Sequence, residues 1–303
     1  MALLLKNANC VDPRAGLEAP QLSDVLIRYG LIAEIKPVDK SGGIDPAGHD
    51  VRDLGGKYLL PGLFDMHVHL RDPGQEYKED IASGSQAAAK GGFTDVLAMP
   101  NTDPVVDRGS VVAYIKDKAA QSAKTRIHVA GALTTGLKGE ALSEMSDMIN
   151  AGAIAFTDDG KGVQDGGMMR MALEYAATFG RPVLSHCQVE SLVGSGQVNE
   201  GVASTRLGLA GWPAAGEEIQ IARDIALSEL TGAALHIQHV STAAGVDLIR
   251  NAKARGVKVT AEATPHHLFL DETALDESYD SNLKMNPPLR TARDAAALQA
   301  ALI

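Results

Sequence analysis

Two histidines and an arginine stand close together in the segment Phe64-Asp65-Met66-His67-Val68-His69-Leu70-Arg71. The apolar residues before them predict a β-strand, on which side chains two residues apart point to the same side. His67 and His69 can therefore aim both imidazoles at one metal ion, for which neutral imidazole is a common ligand. Arg71 follows on that side, and its forked guanidinium suits a carboxylate. The alternative for an isolated His-x-His is two surface histidines.

Further polar residues follow other apolar segments that predict strands. They are Asn101 after 93–98, Asp158 and Asp159 after 153–157, His186 at the end of 182–186, and His239 after 234–238. Barrel enzymes place catalytic groups at the carboxyl ends of parallel strands, so we expect these side chains to share one site. Four histidines with Asp158 or Asp159 predict a centre for one or two zinc ions. The other aspartate is expected to cap the next helix.

The remaining candidate residues have simpler interpretations. His128 and His236 lie inside predicted strands and are expected to be structural. His266 and His267 could line the pocket or could only support it. Lys161 could bridge two metals if it were carboxylated, but its position between glycines makes this the weaker alternative.

Strands and helices alternate regularly after residue 60. The predicted strands are 63–68, 93–98, 125–131, 153–157, 182–186, 234–238 and 257–262, and the helices between them are 79–91, 108–123, 139–150, 166–179, 215–231 and 242–255. This repeat is typical of parallel strands with right-handed crossovers. It favours a (β/α)₈ barrel of the TIM type over an open doubly wound sheet, since no Gly-x-Gly-x-x-Gly follows a strand. Seven strands are found, so the barrel is expected to be truncated before its eighth strand.

Residues 1–60 show a different pattern, with short strand signals and little helical periodicity. The segments 24–28 and 31–35 are joined through Tyr29-Gly30, which is a hairpin signal. We therefore expect a small N-terminal β-sandwich domain in 1–60, followed by the barrel domain in 61–303.

Composition excludes several function classes. A net charge of -10 argues against nucleic acid or acidic lipid as a partner. No apolar run is long enough for a membrane span, and the start of the chain lacks a signal-peptide pattern. Two cysteines, Cys10 and Cys187, cannot form a disulfide framework, which fits a cytoplasmic protein.

Taken together, these motifs resemble those of the cyclic amidohydrolases, and most closely the dihydroorotases of the bacterial class I type. The matching segments run in family order across nearly the whole chain. They are His67-Val68-His69-Leu70-Arg71-Asp72-Pro73-Gly74, Met99-Pro100-Asn101-Thr102, Phe156-Thr157-Asp158-Asp159-Gly160, Ser185-His186-Cys187, His239-Val240-Ser241-Thr242 and Lys284-Met285-Asn286-Pro287-Pro288-Leu289-Arg290. The first and last are quite specific to dihydroorotases, whereas His-x-His alone belongs to the wider superfamily.

The resemblance implies zinc-dependent, reversible hydrolysis of dihydroorotate to N-carbamoyl-aspartate in pyrimidine synthesis. In this assignment His67 and His69 bind the more buried zinc, His186 and His239 bind the second, and Asp159 binds or bridges the metals. The substrate's carboxylate and ring polar groups are expected to contact His69, Arg71, Asn101 and Asn286.

The family pattern also implies parts that the sequence does not contain. A metal-binding aspartate that acts as general acid/base is expected beyond residue 303, together with the strands that complete the small β domain. The 303-residue chain alone is therefore expected to have little or no activity. The resemblance further implies a homodimer that could dock with aspartate transcarbamoylase.

Two other functions compete with this assignment. One is an allantoinase or dihydropyrimidinase, although those relatives use a carboxylated lysine where this chain has Asp159. The other is a non-catalytic, dihydroorotase-like partner of aspartate transcarbamoylase. Such partners usually lose metal ligands, whereas all the ligands expected before residue 303 are present here.

Overall fold

The computed structural model describes residues 2–12, 16–40 and 42–302, and the chain divides into two compact units, Met1–Leu63 and Phe64–Ile303. The N-terminal unit contains the strands β1 (Ala2–Asp12), β2 (Leu17–Arg28), β3 (Leu31–Pro37), β4 (His49–Asp53) and β5 (Tyr58–Leu59). In its described residues these strands form one sheet of order β3-β2-β1-β4, with β5 beside β1.

The predicted hairpin between β2 and β3 is confirmed. Arg28 pairs with Leu31, so Tyr29 and Gly30 form a two-residue turn. Both have positive φ, 54° and 76°, which is the backbone of a type I′ turn. Leu4, Ala8 and Val25 are among the buried residues that form the core of this unit.

The barrel unit alternates strands and helices as predicted. Its elements are β6 (Leu63–Val68), α1 (Ile81–Lys90), β7 (Phe93–Ala98), α2 (Gly109–Ser122), β8 (Arg126–Gly131), α3 (Met145–Ala151), β9 (Ala153–Thr157), α4 (Gly166–Thr178), β10 (Val183–Ser185), α5 (Glu190–Val193), β11 (Val198–Asn199), α6 (Val202–Leu207), β12 (Gly211–Trp212), α7 (Ala215–Thr231), β13 (Leu235–Ile237), α8 (Ala243–Ala254), β14 (Val259–Ala261), α9 (Pro265–Phe269) and α10 (Ala292–Ala301). Single 3₁₀ turns occur at Thr135–Leu137, Glu272–Ala274 and Ser281–Leu283.

Seven of these strands form one curled sheet within the described residues. Its order is β14-β13-β10-β9-β8-β7-β6, so each strand lies beside the next one of the repeat. The registered pairs from β7 to β14 are parallel. This is the (β/α) arrangement expected for a barrel of the TIM type, and β6 and β14 are its outer strands.

Burial on both faces explains why inner strands such as β9 and β10 are short, continuous apolar runs. On β9, Phe156 points outward into the main core between sheet and helices, while Ala155 points inward. Leu97, Met99, Ala130 and Leu184 join Ala155 in the smaller inner cluster. Two packed layers therefore hold the strands rigidly, which fixes where their carboxyl ends lie.

The structure corrects the predicted helix 139–150. Its α-helix begins only at Met145, because residues 135–142 form a loop. Gly139 has a φ of 72°, and Thr135 N–H donates to the Ala141 carbonyl at 2.9 Å. A left-handed residue with a backbone bond across the loop is incompatible with a continuous helix. The short elements α5 to β12 were not predicted, since each has six residues or fewer.

Candidate metal centre

The five predicted metal ligands lie together at the carboxyl end of the curled sheet. His67 is in β6 and His69 follows it, while Asp159, His186 and His239 follow β9, β10 and β13. Asp159, His186 and His239 are buried, and His67 and His69 are partly exposed. Residues that are up to 172 positions apart in the sequence therefore lie around one point, because the parallel strands of a barrel end at a common site.

The Asp159 carboxylate is the centre of this group. Its Oδ1 lies 3.4 Å from His67 Nε2, 3.4 Å from His186 Nδ1 and 3.8 Å from His239 Nε2. Its Oδ2 lies 3.5 Å from His69 Nε2. Four imidazoles thus face one buried carboxylate.

This donor set fits a divalent cation. His67, Asp159 and His239 each offer one ligand atom, and these atoms lie within 4.8 Å of one another. His186 Nδ1 and His239 Nε2 are only 2.8 Å apart, so a shared proton or a cation must separate their lone pairs. Nitrogen and carboxylate oxygen are ordinary zinc ligands, held about 2.0–2.2 Å from the ion. The group of His67, Asp159 and His239 takes one histidine from each of the two predicted pairs, which are His67 with His69 and His186 with His239.

Burial and the central carboxylate act in opposite directions on the protonation of these histidines. Burial lowers the pKa of His239 to about 4 and also lowers that of His69, which leaves both rings neutral near pH 7. For His67 burial also acts to lower the pKa, but the carboxylates of Asp159 and Glu262 outweigh it and raise the pKa to about 10. Burial alone would raise the pKa of Asp159, yet its hydrogen bonds with the histidines hold it well below the usual range.

Asp158 faces away from the centre and does not cap the following helix, contrary to one expectation. Its carboxylate accepts hydrogen bonds from Leu133 N–H at 2.8 Å, Thr134 N–H at 3.0 Å and the Thr134 hydroxyl. The cap of α4 is instead Asp165, which accepts from Met168 N–H. Asp158 therefore ties β9 to the loop after β8 and so fixes the backbone on which Asp159 stands.

The predicted substrate-binding residues differ in how far their side chains are already held by hydrogen bonds. Asn101 is engaged at both ends of its amide: Oδ1 lies 3.0 Å from His69 Nδ1, and Nδ2 donates to Asp159 at 3.3 Å. Asn286 is exposed and donates to Gln188 at 3.2 Å. Arg71 has a φ of 59°, and none of the described side chains pairs with its guanidinium. A cavity of about 670 Å³ is lined by His67, His69 and Asn286 among others.

One position of the first motif requires glycine, because the backbone of another loop approaches it closely. Gly74 has a φ of 92°, and a Cβ placed there would lie 1.9 Å from the Asp103 carbonyl oxygen. Any side chain would push the loop after β6 away from the loop after β7. These loops carry Arg71 and Asn101, so Gly74 keeps the two close.

Sequence reasoning missed Glu262 and Gln238, which both contact His67. Glu262 Oε1 lies 2.6 Å from His67 Nδ1, and Gln238 Nε2 lies 3.2 Å from the same nitrogen. Gln238 also accepts a hydrogen bond from Thr157 at 2.9 Å. Glu262 is the last residue of the predicted strand 257–262, so the rule applied to the other strand ends could have found it.

The other histidines take supporting places. His128 is 2.9 Å from Asp95, outside the group around Asp159, and His236 is buried beside Glu262. His266 lines the cavity. His267 is buried, and its Nε2 donates to the Pro287 carbonyl at 2.9 Å, next to Asn286. Lys161 is exposed in the turn after Asp159.

Helix length and composition bear on membrane insertion as well. Across residues 2–12, 16–40 and 42–302, no helix combines the length and apolar character that crossing a membrane requires.

Three solved or curated proteins illustrate what the chain resembles. A dihydroorotase from Ruminiclostridium cellulolyticum is 49% identical over 98% of this chain and 68% of its own length. One from Pelotomaculum thermopropionicum is 50% identical over 100% of this chain and 69% of its own. The L-hydantoinase (dihydropyrimidinase) structure from Arthrobacter aurescens has a TM-score of 0.82 and 25% identity.

The chain covers only part of these proteins: 98% of it matches 65% of the hydantoinase chain. The family model described as "Dihydro-orotase-like" matches residues 56–244, which include all five predicted metal ligands, the four histidines and Asp159. With this match, and with 49% and 50% identity over nearly the whole of this chain to two curated dihydroorotases, the chain belongs to the dihydroorotase-like family.

Proposed function

We propose that the protein hydrolyses the ring of dihydroorotate to N-carbamoyl-aspartate, reversibly and with zinc held by His67, His69, Asp159, His186 and His239. The observation that carries the proposal is the set of four imidazoles facing the buried Asp159 carboxylate. The name dihydroorotase of relatives that are 49% and 50% identical supports the choice of substrate and of the pyrimidine pathway.

Zinc, when bound, supplies Lewis-acid polarisation of the ring carbonyl and a water nucleophile at neutral pH. The side chains of this protein contribute the rest. The lowered pKa values of His69 and His239 keep their lone pairs available near neutral pH. Asn101 holds His69 and Asp159 in a fixed relation through its two hydrogen bonds.

Arg71 and Asn286 are the residues best suited to bind the substrate. The Arg71 guanidinium has no partner among the described side chains, so it can form a bidentate pair with the substrate's carboxylate. The exposed Asn286 amide offers a donor and an acceptor to the polar groups of the ring. Both residues lie on loops, while the proposed ligands lie on or next to strands.

A substrate comparison with an arginine variant tests the proposal. The zinc-loaded protein, in a form that includes the general acid/base aspartate implied by the family pattern, is assayed on dihydroorotate, dihydrouracil and allantoin. Arg71→Met should lower kcat/KM for dihydroorotate by roughly ten- to a hundredfold, since a hydrogen-bonded charge contributes about 1.5–3 kcal/mol. Turnover of dihydrouracil, which has no carboxylate, should change little. Arg170→Met is the matched control, because Arg170 is an exposed residue of α4 paired with Glu174.

The result also decides between the candidate functions. A hydantoinase-like or dihydropyrimidinase-like activity is the second candidate, favoured by the TM-score of 0.82 to the Arthrobacter hydantoinase. Preference for dihydrouracil, with no effect of Arg71→Met, would favour it and refute our proposal. Absence of bound metal and of turnover would favour the non-catalytic alternative. The homodimer and the association with aspartate transcarbamoylase stay predictions.

A further inference from the structure

The Glu262 carboxylate connects three strands beside the proposed metal centre. Its Oε1 lies 2.6 Å from His67 Nδ1 and accepts from His239 N–H at 3.2 Å. Its Oε2 lies 3.2 Å from His236 Nε2. The Glu262 side chain is 19% exposed, so these contacts are largely shielded from water.

The backbone on both sides of Glu262 fixes the direction of this side chain. Glu262 N–H donates to the Ile237 carbonyl at 3.1 Å, and its own carbonyl accepts from Val240 N–H at 2.9 Å. These bonds continue the parallel pairing of β13 and β14, in which Ala261 lies opposite Ile237. The carboxylate therefore leaves a rigid strand end rather than a free loop.

His67 is oriented by this carboxylate. An imidazole at 2.6 Å from a carboxylate oxygen through Nδ1 must carry its proton there, which leaves Nε2 directed at Asp159. Histidine ligands of metals commonly donate their second ring N–H to a carboxylate, which fixes the ring and its tautomer.

His239 is held through its backbone. Its φ of 35° lies in the left-handed region, which is unfavourable for a residue with a side chain. The hydrogen bond from His239 N–H to Glu262 supports this conformation, in which the ring faces Asp159. Two of the three side chains that could share one ion thus depend on one carboxylate.

We propose that Glu262 is a positioning residue of the metal centre, which orients the His67 ring through Nδ1 and holds the backbone of His239. The inference rests on the metal site of the proposed function. His236 completes the arrangement, because its Nδ1 lies 2.8 Å from Thr260 Oγ1 and its other nitrogen faces Glu262.

Metal affinity is the first test. Zn²⁺ dissociation constants of the protein and of Glu262→Ala and Glu262→Gln are measured by chelator competition, and Co²⁺ absorption spectra report the ligand geometry. Glu262→Ala should weaken binding by about 10- to 100-fold and change the Co²⁺ spectrum. Glu262→Gln keeps an oxygen that accepts from His67 and should recover part of the affinity. Glu229→Ala, an exposed glutamate paired with Arg255, is the control.

The second test does not depend on metal. In the metal-free protein the Nδ1 proton of His67 should give a downfield ¹H resonance protected from exchange. Glu262→Ala should abolish it, while Glu229→Ala should leave it unchanged. Persistence of this resonance in Glu262→Ala, or equal zinc affinity of a folded Glu262→Ala, would overturn the inference. If the unaltered protein bound no zinc, the proposed function would fail, and the resonance alone would decide the role of Glu262.

Discussion

Arg290→Met should strongly destabilise the barrel unit, because Arg290 forms a buried ion pair with Glu217. The two side chains are 2% and 3% exposed, and the Arg290 guanidinium is 3.5 Å from Glu217. Arg290 also donates to Ser241 Oγ at 3.1 Å, Asn199 Oδ1 at 3.0 Å and the Trp212 carbonyl at 2.8 Å. Removing the guanidinium would leave the Glu217 charge buried without its ion partner and would take the donor from Ser241 Oγ and Asn199 Oδ1.

The expected loss of unfolding free energy is about 3–5 kcal/mol, the usual cost of removing one partner of a buried pair. Burial already raises the pKa of the Glu217 carboxyl, although Arg290 and the Ser241 hydrogen bonds oppose this effect. Without Arg290 the pKa of Glu217 should rise further above its value in the unfolded chain. Burying the ionised carboxylate then lowers the free energy of unfolding at neutral pH, and protonation at lower pH removes this cost. The loss should therefore be smaller at mildly acidic than at neutral pH.

Urea unfolding followed by tryptophan fluorescence measures this loss directly. Trp212 is the single tryptophan of the chain, it is 5% exposed, and Arg290 lies 5.7 Å from the centre of its ring. Arg255→Met is the matched control, since Arg255 and Glu229 are half exposed and solvent screens the attraction of such surface pairs.

A double variant separates the buried charge from the loss of packing. Arg290→Met with Glu217→Gln removes both charges and keeps an acceptor for Ser241 N–H, which donates to Glu217 at 2.8 Å. Its loss of unfolding free energy should be smaller than the sum of the losses of the two single variants, by about 0.5–3 kcal/mol. Equal losses for Arg290→Met and Arg255→Met, or strict additivity in the double variant, would refute the reasoning.

Two further predictions concern the N-terminal unit and metal binding. Asp24→Ala should destabilise the N-terminal unit by about 1–3 kcal/mol, because the buried carboxylate accepts from Asn7 N–H and Ile44 N–H. Unchanged amide exchange in β1 and β2 would contradict it. Zinc affinity should rise with pH up to about 10, because a proton must leave His67 before the metal binds. The carboxylates of Asp159 and Glu262 raise the pKa of His67 to about 10, against the effect of burial. A flat profile in chelator competition would argue against His67 as a ligand.

The sequence predicted the barrel strands well because each is short and largely apolar, with turn or polar residues close behind it. The predicted segments 63–68, 93–98 and 153–157 coincide with β6, β7 and β9. The convergence of His67, His186 and His239 follows from the same pattern, since parallel neighbours bring their carboxyl ends together.

Partners distant in the sequence could not be predicted. Asp158 and Asp159 are adjacent, and both follow β9, but Asp158 accepts from Leu133 and Thr134 while Asp159 faces the histidines. The difference depends on the loop after β8, of which residues 139–144 were wrongly assigned to a helix. Local patterns report burial and turns, whereas the donors that a carboxylate finds depend on how loops fold over the sheet.

The residues that Glu262 contacts also depend on structure distant in the sequence, namely on the register between β13 and β14. Thr260 and Glu262 are two residues apart and point to the side on which His236 and His67 lie. A slip of one residue between β13 and β14 would turn Glu262 to the other face and move Ala261 or Ala263 into its place. His67 would then lose its short hydrogen bond, and the backbone N–H of His239 would lose its acceptor. The strand-end rule could have placed Glu262 at this edge of the sheet, but its contacts at the proposed metal centre depend on the register of β13 and β14.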